Sequence, residues 1–131
     1  MGEKALVESL VNDAVVLIRK LDELGISPTS AVWFYYEDAD EWRLLIASPA
    51  LDQFLPKQEA VAYEKLIEAF SNTSTTTIRI SDLKLVRTDY PLLKALRVMA
   101  HTHAKGIVRL HFTDCTVDQV FVKEAVILRA A

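Results

Sequence analysis

The chain has little of what ties many small proteins together: one cysteine, three glycines and four prolines in 131 residues. Cys115 has no second thiol to pair with, which excludes an internal disulfide and predicts a reducing, cytoplasmic setting. With glycine only at positions 2, 25 and 106, no glycine-rich loop exists to approach a phosphate. The P-loop, the dinucleotide fingerprint and the nucleophile elbow are all absent, which removes ATP-dependent and Rossmann-type chemistry. No apolar run is long enough to span a bilayer, and the early acidic residues of MGEKALVESLVNDAVVLIRK do not fit a secretory leader. The expectation is therefore no membrane partner and no cofactor.

What is present is apolar and unevenly charged. Hydrophobic residues make up 51% and charged residues 25%, enough for one core and one domain over 1–131. The net charge is −3, but residues 1–65 hold six Lys/Arg against twelve Asp/Glu, and residues 66–131 hold nine against six. Basic side chains gather in 79–109, where Arg79, Lys84, Arg87 and Arg109 form a candidate anion-binding set. A sequence pI near 5.6 argues against nucleic acid as the partner.

Periodicity orders the chain as α-β-β-α-β-α-β-β. Leu6, Leu10, Val11, Ala14, Leu17, Ile18, Leu21 and Leu24 repeat at three and four, with Val7, Val15 and Val16 widening the stripe. Gly25 then suits a left-handed helix stop on which Ile26 folds back against Leu21. Two apolar runs, 31–36 and 42–47, flank the acidic patch Glu37, Asp38, Asp40 and Glu41 and read as a hairpin. Pro56 opens a helix carrying Tyr63, Leu66, Ile67 and Phe70, and Pro91 opens another carrying Leu92, Leu93, Leu96 and Met99. Residues 76–80 alternate as a strand with a break near Ser81-Asp82, and 107–113 and 119–129 are strands joined by 114–118. Hairpins with helices between them predict an α+β domain. Its sheet has about five mainly antiparallel strands, with helices mostly on one face.

At Glu41-Trp-Arg-Leu-Leu-Ile-Ala-Ser-Pro49 and Glu124-Ala-Val-Ile-Leu-Arg129 the chain resembles a set of small uncharacterised bacterial α+β proteins. The resemblance covers about fifteen residues, implies a bacterial source and the same fold class, and carries no activity or site residue.

Chemistry-bearing residues form no established pattern. His101, His103 and His111, with Asp114 and Cys115 nearby, are a candidate metal set, though their spacing matches no finger or zincin. Asp82-Leu-Lys84 resembles the Asp-x-Lys element of metal-dependent nucleases, with Asp52 or Glu37 as the second carboxylate. A Cys115–His111 nucleophile pair is a further arrangement, set against an isolated thiol near a hairpin turn. No convergent catalytic set emerges. The sequence instead predicts a non-enzymatic protein-interaction module that self-associates, first as a dimer, through the aromatic strands holding Trp33, Phe34, Tyr35, Tyr36 and Trp42. The alternative is an anion- or nucleic-acid-binding protein, with metal-dependent nuclease chemistry, built on residues 79–109.

Overall fold

The apolar stripe of the N-terminal segment forms α1 (Glu8–Glu23) in a computed structural model that describes residues 6, 8–73 and 77–131. Val11, Ala14, Leu17, Ile18 and Leu21 are buried along one side; Val16 is exposed, so the stripe is narrower than the sequence suggests. Gly25 adopts φ +77°, and the Ile26 amide donates to the Leu21 carbonyl at 2.9 Å, the bond expected of a left-handed stop.

The hairpin forms as β1 (Ser30–Tyr36) and β2 (Glu41–Ala47), in register from Ser30 opposite Ala47 to Tyr36 opposite Glu41. Asp40 turns the chain at φ +51° and accepts a hydrogen bond from the Tyr35 hydroxyl at 2.6 Å. Ser48 caps the short α2 (Pro49–Asp52), and α3 (Glu59–Ser71) starts three residues past Pro56 rather than at it. After a 3-10 turn at Ile80–Asp82 come β3 (Leu83–Leu85), α4 (Pro91–Met99), β4 (Leu110–Val117) and β5 (Val120–Ala130). One mixed, mostly antiparallel five-stranded sheet results, ordered β3-β2-β1-β5-β4, with β3 parallel to β2. The α+β class and the element order are those expected.

Alternation along the strands divides the core in two. Trp33, Tyr35, Trp42, Leu44 and Ile46 meet α1 and α3, while Val32, Phe34 and Leu45 meet Leu92, Leu93 and Leu96 of α4. Two long helices thus cover one face and a shorter one the other, which is why β1 and β2 lack a polar side.

Two strands lie elsewhere than expected. Residue 76 falls outside the described residues, and 77–80 are not strand. The buried Asp13 carboxylate accepts the Thr77 and Ile78 amides at 2.7 and 3.0 Å, and Asp82 accepts that of Arg79 at 2.8 Å. Donors taken by carboxylates cannot enter a ladder, so the strand begins at Leu83. The fourth strand starts at Leu110 and continues through the residues expected as a loop. Asp118 (φ +51°) and Gln119 (φ +67°) close the hairpin as a two-residue turn, the tight connection that lengthens both strands.

The sheet is fastened at one end by Arg129, which is wholly buried. Its guanidinium donates to both Asp22 carboxylate oxygens at 2.9 and 3.0 Å, and to the carbonyls of Gly106 and Pro28 at 2.8 and 3.1 Å. Partial burial raises the Asp22 pKa, but hydrogen bonds from Arg129 and Ser27 and the Arg129 charge outweigh it and hold the carboxyl below its usual value.

Because the folded-state pKa lies below the unfolded one, Asp22 contributes stability in full above about pH 4, and that contribution fades as pH falls through the depressed value. Asp22→Asn leaves the Arg129 charge buried without its counter-ion and is expected to cost about 3 kcal/mol at neutral pH. Urea unfolding of both proteins between pH 7 and pH 2 checks this, with the gap between them closing only in the acid range.

Candidate interaction surface

The surface least used by the fold is the β4 side of the sheet. β4 is the end strand, it spans eight residues, and none of them is buried. Its inner edge pairs with β5, and no described strand pairs with its outer edge. The two long helices reach only the inner part of β5, through Val126 and Leu128. Beyond them His111 and Glu124 lie on the open face, Nε2 to Oε2 at 2.7 Å. Phe121 is 52% exposed and Leu110 38%, one near each end of the hairpin. Asp114, at φ +46°, reaches Lys123 at 3.1 Å on the neighbouring strand. Phe112 and Cys115, three apart, both pack on the α4 side, as do Val122 and Ala125 opposite them. Both strands therefore switch faces near Asp114, something even alternation could not foretell.

The aromatic residues expected to form the contact are covered. Trp33, Tyr35 and Trp42 are 0–5% exposed and Phe34 is 9%; only Tyr36 is partly open. Helices on both faces bury what a one-sided sheet would have left bare. On the described strands the exposed large apolar side chains are instead Leu110 and Phe121, which pattern alone placed inside regular strands; Val16, Leu24, Ile67 and Val98 are exposed on or beside the helices.

The anion set does not converge. Arg79 projects into solvent beside the 3-10 turn, with Nε 3.9 Å from Asp82. Lys84, between the inward Leu83 and Leu85, faces the α4 side, its Nζ 5.1 Å from the centre of the Tyr36 ring. Arg87 donates to the carbonyls of Asp52 and Leu55 at 3.0 and 3.2 Å and to the Asp89 carboxylate at 3.1 Å. Arg109 holds Glu8 through both terminal guanidinium nitrogens, with Nη2 to Oε1 at 2.7 Å. That pair lowers the Glu8 pKa through the hydrogen bond first and the charge second. Each cation has found a local neighbour, and they lie on different parts of the fold.

The histidines also scatter. His101 and His103 sit exposed on the connector after α4, around a shallow hollow that includes Ala131, while His111 is on β4 with Glu124. Among the described residues, no three His, Cys, Asp or Glu side chains stand where they could share a metal ion. Asp82 is engaged with the Arg79 amide and Lys84 faces Tyr36, while Asp52 accepts from the Thr88 amide and hydroxyl. Among the described residues, neither Asp82 nor Asp52 belongs to a group of three or more His, Cys, Asp or Glu side chains placed to share an ion. Cys115 packs toward α4 while His111 lies opposite Val126 on the other face, so they form no nucleophile pair. No described helix is long and apolar enough to cross a membrane. No family model, curated protein or solved structure matches the chain.

Arg87 is a brace between the α2–α3 segment and the exit of β3. Arg87→Ala is expected to lower unfolding stability by about 1 kcal/mol, the scale of one or two lost hydrogen bonds, as read by thermal melting.

Proposed function

We propose that the protein is a non-enzymatic interaction module that acts as a homodimer through its β4 strand. The observation that carries this reading is an end strand of eight residues with no buried member and an outer edge that no described strand pairs with. An open edge presents main-chain donors and acceptors that another strand can satisfy, and proteins usually blunt such edges with lysine, proline or a cover. β4 reads LHFTDCTV and has neither lysine nor proline.

A second copy is the occupant favoured by chemistry. An antiparallel strand pair about a two-fold axis is self-complementary, so the edge that lacks a neighbour in one chain supplies it in the other. On the strand itself Asp114 is balanced by Lys123 within the hairpin and His111 is hydrogen-bonded to Glu124 of β5, so two β4 edges meet without an unpaired carboxylate of their own. Leu110, at the start of the strand, adds apolar area to the contact.

Light scattering coupled to size exclusion is expected to give the mass of two chains at about 100 μM, falling toward one chain on dilution. Thr113→Lys, on an exposed position in mid-strand, is expected to shift the protein to monomer with its melting temperature at high dilution unchanged. A strict monomer at about millimolar concentration would sink the proposal.

A further inference from the structure

A second feature lies at the far side of the sheet from β4. β3 pairs with β2 only along Leu44–Ile46, so the first part of β2, from Glu41 to Arg43, has no described strand along its outer edge. The missing length of β3 leaves a cleft of about 330 Å³, walled by β2, the 3-10 turn and the first part of α1. Its existence follows from the amides at 77–79 being taken by Asp13 and Asp82, which keeps that segment out of the sheet.

The lining divides by chemistry. Trp33, Trp42 and Leu10 supply apolar surface, and Arg79, Glu41, Arg43 and Asp82 supply two positive and two negative charges. Trp33 is 0% exposed and Trp42 5%, so the two indoles form the floor of the cleft. The Arg79 guanidinium is 78% exposed and only 3.9 Å from Asp82 at its nearest, so its fork is open to a carboxylate.

We infer that this cleft binds a small zwitterion with an apolar body, of which an amino acid with an apolar side chain is the simplest case. Equal numbers of guanidinium and carboxylate groups disfavour a ligand of a single sign, because two like charges would face it. A zwitterion sets its carboxylate against Arg79 and its ammonium against Glu41, whose Oε2 also accepts from Arg43 Nη2 at 2.7 Å, while its side chain lies along Trp42 and Leu10. The cleft's volume suits a molecule of this size.

Both tryptophans of the chain line the cleft, so intrinsic fluorescence reports on it directly. Titration with phenylalanine, excited where only indole absorbs, is expected to give a saturable change. The two single-charge analogues, 3-phenylpropanoate and 2-phenylethylamine, are expected to bind at least about tenfold more weakly. Arg79→Ala and Glu41→Gln each change a solvent-reaching side chain, and each is expected to weaken phenylalanine about tenfold at an unchanged melting temperature. The inference is overturned by any of three results: no saturable response, equal affinity for 3-phenylpropanoate, or either variant binding as wild type.

Discussion

The buried guanidinium of Arg129 holds four parts of the chain at one point. Through Asp22 it grips the end of α1; through the Pro28 and Gly106 carbonyls it grips the connectors leading to β1 and to β4. Its own position, the penultimate residue of β5, fixes the central strand of the second half of the chain. A charge this deep is tolerable only when its hydrogen bonds are met, and here all come from segments that must therefore stay in place. Main-chain bonds at the same corner, Ala131 to Thr29 and Thr102 to Ala130, close the rest of it.

From that corner the distribution of cover follows. α1 ends against β5, so it lies over β1, β2 and the inner part of β5, with α3 beside it. α4 has only nine residues to lay across the opposite face. Neither layer buries the strand beyond β5, and β4 is left as an exposed margin. At the other margin the chain solves the same edge problem differently. β3 is only three residues long, and the Tyr63 hydroxyl accepts the Leu85 amide at 3.0 Å, so part of that edge is satisfied from α3. The two margins differ in kind: one is long and bare, the other short, partly covered and notched.

Much of this architecture was legible because apolar spacing is a local property. The α1 stripe, the Gly25 stop, the hairpin around the acidic turn and Pro91 at the head of α4 are all readable from neighbouring residues, as is the α+β class. The departures have a shared cause in contacts between residues distant in sequence. Asp13 removes Thr77 and Ile78 from strand pairing across more than sixty positions, and nothing near residue 77 announces it. Arg129 looks like a strand's polar terminus until Asp22 is set beside it, 107 residues away. The histidines and basic residues gathered in sequence but part in space, because a strand and its connector send them to different faces and ends. Exposure at Phe121 and Leu110 depends on which strand is outermost, a fact that periodicity does not contain.

Amide hydrogen exchange followed strand by strand at two protein concentrations reads pairing at the β4 edge itself. β1, β2 and β5 are expected to be protected alike at both concentrations, while the amides of 110–117 gain protection as concentration rises. Exchange of 110–117 that is independent of concentration, with the rest of the sheet protected, would contradict that pairing.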